Sequence, residues 1–244
     1  MPKAPDAKRD RIPPTELWGV TADLLPLDGG HRNMAFRTAG LRQDLVFKST
    51  RRKPEAVEWL LPVLELARKC GLVVPAVLRS CRQGLVEAGW TCEEFVEGRR
   101  FASREVPCIR TRVERFHVRA ARVPQRPGQV SSRDLLELDS GGDIDLGSMP
   151  PWLAEACRAS WSGHLTDDRC TVVHGDLNPD NMLRCPDGRI ALVDWDECRR
   201  DLPVFDIGHL APVGPSERRA LLAWEVACSW TSEPGYARRL AGML

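Results

Sequence analysis

Apolar positions change their spacing along the chain, and each change marks a predicted element. From Trp18 to Ser49 they come in short runs, broken at Asp28-Gly29-Gly30 and at Ala39-Gly40, that end in Asp44-Leu45-Val46-Phe47-Lys48-Ser49. This predicts three antiparallel strands joined by turns. Glu55 to Cys70 instead carries Val57, Leu60, Leu61, Leu64 and Ala67 at helical spacing and stops at Gly71, which predicts a helix. Strands resume over 73–79 and 85–95. After Gly98 helical spacing takes over: 103–123 and 151–165 read as helices, joined by a polar stretch holding Pro124, Pro127, Gly128 and the acidic run Glu137 to Asp145, and a last helix covers about 216–230. The pattern predicts an α+β chain with a flexible arm over 1–14, a small antiparallel sheet with one helix over 15–98, and a mainly helical part over 99–244. No internal repeat is visible.

Composition narrows the class. With 244 residues, 43% hydrophobic and 28% charged, the chain can bury one sizeable core or two smaller ones. No window approaches the roughly 18 consecutive apolar residues of a membrane span, and Met1-Pro2-Lys3-Ala4-Pro5-Asp6 lacks the apolar core of a signal peptide. A soluble, cytoplasmic protein is expected. A balance of 35 basic against 34 acidic side chains provides no general field for gathering nucleic acid. The nine cysteines are scattered singly, without a C-x-x-C pair, which fits reduced thiols better than disulfides or a zinc site. Only five of the 35 basic residues are lysines, and Lys48 is the one set in an apolar, strand-like run.

The chemistry concentrates between residues 172 and 196. His174-Gly175-Asp176-Leu177-Asn178-Pro179-Asp180-Asn181 precedes Arg184-Cys185-Pro186-Asp187-Gly188, and Ile190 leads to Asp194-Trp195-Asp196. Apolar runs on both sides of Asp187-Gly188 predict a hairpin with a two-residue turn, which places Asn181 opposite Asp194. An amide oxygen and a carboxylate then stand side by side at the hairpin mouth, a hard donor pair suited to Mg²⁺. Asp176, five residues before Asn181, lies close enough to accept a proton from a hydroxyl nucleophile. Taken singly, each residue has a plainer role: a turn former, a cap, a core histidine at His174. Three oxygen-bearing side chains meeting at one hairpin mouth are what point to a site.

These residues resemble the aminoglycoside phosphotransferase and choline kinase superfamily, which has a two-lobed, protein-kinase-like fold. The resemblance implies that Asp176 is the catalytic base, that Asn181 and Asp194 hold Mg²⁺, and that His174 and Asp206 support the catalytic loop, with His117 packing beneath it. It further implies that Gly89 to Gly98 is a hinge whose backbone near Glu94 and Val96 binds adenine, and that Lys48 holds the nucleotide α- and β-phosphates. Asp28-Gly29-Gly30-His31-Arg32-Asn33 sits where a phosphate-covering hairpin belongs, with Gly30 and Asn33 as contacts, although such a glycine pair is equally an ordinary turn. Glu55 or Glu58 could orient the lysine, and Glu55 fits the family's helix better; a helix N-terminal acid is its plainer role. Asp196 and Glu197 could bind a second metal or a substrate amine, and the acidic run up to Asp145 would suit a polyamine or merely face solvent.

The expected activity is transfer of the γ-phosphate of ATP, or GTP, to a hydroxyl of a small, cationic acceptor such as an aminoglycoside-type antibiotic. Choline, ethanolamine or a sugar is the alternative acceptor, and a nucleotide-binding module without transfer the alternative class. His-Gly-Asp in place of His-Arg-Asp, and Asp-Trp-Asp in place of Asp-Phe-Gly, argue against protein substrates. Only 38 residues (207–244) follow Asp206, fewer than the resemblance implies for a complete acceptor pocket, so the acceptor stays open, as does the oligomeric state. A membrane or nucleic-acid partner is not expected.

Overall fold

A computed structural model of the chain describes residues 12–27, 33–163 and 170–244. By its internal contacts the chain divides into two compact units, Met1–Leu61 with Pro75–Val96, and Pro62–Val74 with Glu97–Leu244.

The first unit is built on a five-stranded antiparallel sheet in the order β1-β2-β3-β5-β4. Its strands are β1 (Asp23–Pro26), β2 (Ala35–Ala39), β3 (Leu45–Ser49), β4 (Val77–Leu78) and β5 (Trp90–Glu94). Alternation along β3 decides the faces. Leu45 and Phe47 join Trp90 and Cys92 in a small core flanked by Trp18 and Phe36, whereas Val46 and Lys48 take the opposite face. Asp44 closes the β2–β3 turn by accepting from the Thr38 hydroxyl and the Leu41 N–H. The strands after residue 72 are shorter than the apolar runs predicted. Ser80 draws its neighbours into a loop through bonds to Arg82, Gly84 and Glu87, and Val73 pairs with β11 (Ile190–Leu192) of the second unit's own sheet.

Helix α1 (Pro54–Lys69) buries Ala56, Val57, Leu60, Val63, Leu64 and Ala67, the face its 3.6-residue spacing predicts. In the second unit the region 103–123 is not one helix. Pro107 interrupts it, and Ser103–Ile109 winds as a 3-10 helix before α2 (Arg110–Ala120), because proline offers no N–H to an α-helical ladder. Then come the small hairpin of β7 (Ser140–Gly141) and β8 (Ile144–Asp145), α3 (Pro151–Ser162), α4 (Val204–Leu210), α5 (Pro215–Ser229) and α6 (Pro234–Ala241). The apolar faces of α3 and α5 meet around Leu153, Trp161, Phe205, Ala223 and Trp224, and the Trp161 Nε1–H donates to the Ala220 carbonyl at 3.2 Å. A two-stranded sheet of β9 (Thr171–Val173) and β12 (Arg199–Asp201) lies against this core, and β10 (Met182–Arg184) is the middle strand between β11 and β6 (Arg99–Arg100).

All nine cysteines are free thiols; Cys81 and Cys108 are exposed and the others buried. Burial pushes the Cys92, Cys157 and Cys198 thiols up to about 12. Among the described residues no helix is long and apolar enough to cross a membrane.

Candidate functional site

Strand β9 delivers the chain, fully buried, into the loop from His174 to Asn181. Two helices hold this loop through one carboxylate. Asp206 on α4 accepts the Gly175 N–H at 2.9 Å on Oδ1, and the His174 N–H at 2.9 Å and His117 Nε2 at 2.8 Å on Oδ2. Burial alone would raise this carboxyl, but the His117 bond and charge and the Gly175 N–H outweigh it and hold Asp206 below the usual carboxylate value. His117 is fixed in turn, since its carbonyl accepts the Thr171 hydroxyl at 2.6 Å. Its expected place beneath the loop is therefore a direct tie through Asp206.

Gly175 has no room for a side chain. At φ 83 it is left-handed, and a Cβ there would meet Arg199 Nη1 at 2.6 Å and the Glu197 carbonyl at 2.7 Å. Arg199 is itself wholly buried, bonded to Asp201 at 2.9 Å and stacked 3.6 Å from the Trp224 ring centroid. Its Nη2 finds no hydrogen-bond acceptor among the described residues, so the indole face takes that role as a cation–π partner. Burial pushes the Asp201 carboxyl up, against the pull of Arg199 and the Ser132 hydroxyl.

Asp176 is oriented from both sides. Its Oδ1 accepts the Asn178 side-chain amide and its Oδ2 the Asn181 side-chain amide, each at 2.8 Å, and Asn181 Nδ2 also reaches the Asp176 carbonyl at 3.0 Å. Asn178 meanwhile caps the 3-10 turn Pro179–Asn181 by accepting the Asp180 and Asn181 N–H groups. Its role escaped the sequence reading, although an asparagine just before Pro-Asp is a cap pattern. The Asp176 N–H donates to His174 Nδ1 at 3.3 Å, and His174 Nε2 meets the Val193 carbonyl at 3.1 Å, which together fit the neutral Nε2–H tautomer. Trp195 covers that imidazole with ring centroids 4.7 Å apart.

The hairpin register differs from the prediction by one residue. Met182 faces Leu192 and Arg184 faces Ile190, so Asn181 pairs with Val193, whose N–H it accepts at 3.0 Å, and not with Asp194. The cause is the turn: Cys185 N–H bonds Arg189 O, leaving three residues, Pro186, Asp187 and left-handed Gly188 (φ 82), in the loop. Asp194 lies one residue beyond the ladder and takes a left-handed backbone, φ 62. A one-residue slip in a regular strand would turn the carboxylate to the other face; at Asp194 the backbone leaves the strand. Asn181 spends its side-chain amide hydrogens on Asp176, which leaves its side-chain oxygen as the group that could meet a cation. That oxygen and the Asp194 carboxylate fit Mg²⁺, which takes few protein oxygens and completes its shell with water and phosphate. Among the described residues no group of three or more His, Cys, Asp or Glu side chains forms a metal cage. Asp196 and Glu197 follow, half-buried.

In the first unit Lys48 forms its ion pair with Glu93, at 2.8 Å. This corrects the expectation of Glu55, and the register explains it. Lys48 faces Thr91 and Val46 faces Glu93, which makes Glu93 the diagonal neighbour of Lys48 on the same sheet face. Glu55 lies exposed in the first turn of α1, and Glu58 pairs with Arg79 at 2.7 Å. The Glu94 N–H donates to the Ala76 carbonyl at 2.9 Å, and Val96 follows the end of β5. Asn33 is half-buried just before β2, and Gly30 lies outside the described residues.

The model of the APH phosphotransferase enzyme family matches residues 23–240. Among solved structures, an apo thermostable mutant of aminoglycoside phosphotransferase APH(4)-Ia is 14% identical with a TM-score of 0.62, covering 94% of this chain and 96% of that one. Choline kinase LicA from Streptococcus pneumoniae is 16% identical at TM-score 0.59, covering 92% and 95%. Spectinomycin phosphotransferase APH(9)-Ia, in complex with ADP and spectinomycin, is 10% identical at 0.58, covering 93% and 86%. At such identities the likeness is one of fold, and it is the kinase-like α+β fold expected. With nine-tenths of its length inside the family's model, the chain belongs to the APH phosphotransferase enzyme family, as a small-molecule phosphotransferase acting on hydroxyl groups.

Proposed function

We propose that the chain transfers the γ-phosphate of ATP to a hydroxyl of a small cationic acceptor, with Asp176 as base, Asn181 and Asp194 as Mg²⁺ ligands, and Lys48 holding the nucleotide phosphates. The first unit would then bind nucleotide and the second carry the catalytic loop and the acceptor site. One observation carries this reading: both Asp176 oxygens are fixed by side-chain amides at 2.8 Å, one of them from Asn181. An ionised carboxylate has about four acceptor positions, so two amide bonds orient it and leave lone pairs for the acceptor O–H.

In the reaction the acceptor oxygen attacks the γ-phosphorus, the bond from that phosphorus to the bridging oxygen breaks, and ADP leaves. Asp176 takes the hydroxyl proton. The Lys48 ammonium offsets phosphate charge and is steadied by Glu93. Asn181 and Asp194 would hold Mg²⁺, which would supply the remaining neutralisation of phosphate charge. Catalysis is positioning and electrostatics, with no covalent enzyme intermediate. The half-buried Asp196 and Glu197, next to Asp194, favour an acceptor bearing ammonium groups. Spectinomycin and choline, named with two of the structural neighbours, are alcohols of that kind.

The test is Asp176→Asn. It should lower kcat by about 10²–10⁴-fold, the usual worth of a general base, while Mg²⁺-dependent stabilisation by ATP in a thermal melt persists. A panel of amino-sugars, amino-alcohols and neutral sugars in the same assay identifies the acceptor class. Full activity in Asp176→Asn would remove the base from this scheme, and phosphorylation of neutral sugars alone would remove the cationic acceptor.

A further inference from the structure

The loop that carries Asp194 is shaped by a residue no motif singled out. Arg126, six residues beyond the end of α2, is 2% exposed. Its Nη1 lies 3.1 Å from the Trp195 carbonyl, 2.9 Å from that of Asp196 and 3.2 Å from that of Cys198, and Gln129 Nε2 reaches the Asp196 carbonyl at 3.5 Å. Three carbonyls of one short segment meet at a single nitrogen only where the chain curls around it. The curl starts at Asp194, whose left-handed backbone, φ 62, persists only where its surroundings hold it. The loop also bears three carboxylates, Asp194, Asp196 and Glu197, and a guanidinium keeps its charge at any working pH.

We infer that Arg126 is a positioning residue for the divalent cation: by templating the 195–198 curl, it keeps the Asp194 carboxylate where it can share a cation with the Asn181 amide oxygen. This rests on the reading of Asn181 and Asp194 as the metal ligands. It differs from general stabilisation because Gln125, the preceding residue, accepts the Arg126 N–H at 2.8 Å but sends its side chain to β12 and not to the curl. Gln125 donates to the Arg200 carbonyl and accepts the Arg200 N–H, both at 2.9 Å, on β12 and outside the curl.

Mn²⁺ binding followed by electron paramagnetic resonance, with ADP present, compares wild type, Arg126→Met, Arg126→Lys and Gln125→Ala, and thermal melts without metal report stability. Arg126→Met should weaken Mn²⁺ binding about tenfold, at the lower end of what outer-shell partners contribute, and raise the Mg²⁺ needed for half-maximal activity by the same factor. Arg126→Lys, which keeps the charge with a different geometry, should fall between. Gln125→Ala should melt earlier with Mn²⁺ affinity unchanged. Wild-type affinity in Arg126→Met overturns the inference, as does an equal loss in Gln125→Ala. If Arg126→Met does not fold, Arg126→Lys decides in the same way: unchanged affinity overturns it and weakened affinity supports it. Wild-type protein that binds no Mn²⁺ overturns the ligand reading itself, an outcome seen before any variant is made.

Discussion

Two ion pairs, one in each unit, show opposite uses of charge. Lys48–Glu93 joins two neighbouring strands of a sheet, with side chains 15% and 18% exposed, so the pair keeps some access to water. His117–Asp206 is 7% and 0% exposed, and Asp206 also holds two backbone N–H groups. The first pair leaves a partial approach to the Lys48 ammonium while Glu93 steadies it. The second has both carboxylate oxygens engaged and dictates a backbone path. The pair proposed to serve a ligand keeps some access to water, and the pair that sets the loop's shape is sealed.

That contrast can be broken most severely at Asp206. Asp206→Asn removes the charge and one acceptor from a buried network, and should cost about 3–5 kcal/mol, read as a lower urea midpoint with unchanged slope. Gly175→Ala comes next. The left-handed backbone alone costs about 1–2 kcal/mol, the contact with Arg199 and the Glu197 carbonyl adds to it, and the variant should lose turnover even at temperatures where it stays folded.

A pH titration sharpens the same side of the comparison. Because the folded carboxyl of Asp206 lies below its ordinary 3.8, its contribution is complete above that value and is lost as pH falls through the lower folded value. His117→Gln, which can keep a hydrogen bond without the charge, should raise the folded value and move acid unfolding, followed by tryptophan fluorescence, to higher pH. Lys48→Met should cost less stability than these changes, since its pair is less sealed than His117–Asp206, yet abolish the thermal shift with ATP. A large loss of stability there would erase the distinction between the two pairs.

Much of this was legible before any coordinates. Strand alternation over 45–49, the α1 face and the loop from His174 to Asn181 all follow from side-chain period and type, because each is decided by neighbours in sequence. The failures are non-local or turn on a single residue. Counting Asp187-Gly188 as the whole turn, and not Pro186 to Gly188, shifted Asn181 by one position. Glu93 could not be distinguished from Glu55 without the register of β3 on β5. Arg126 is one of thirty arginines, and nothing in its neighbourhood along the chain records that three carbonyls curl around it. The short helices α4 and α6 are fixed by packing on α5 more than by their own periodicity.

The burial of the thiols has a practical consequence. Seven are sheltered, and those with raised values supply little of the thiolate that reacts with electrophiles. Cys81 in the first unit and Cys108 in the second stand open. A maleimide dye pair would therefore mark each unit once on the unaltered chain, giving a built-in two-colour ruler for following the units as substrates come and go.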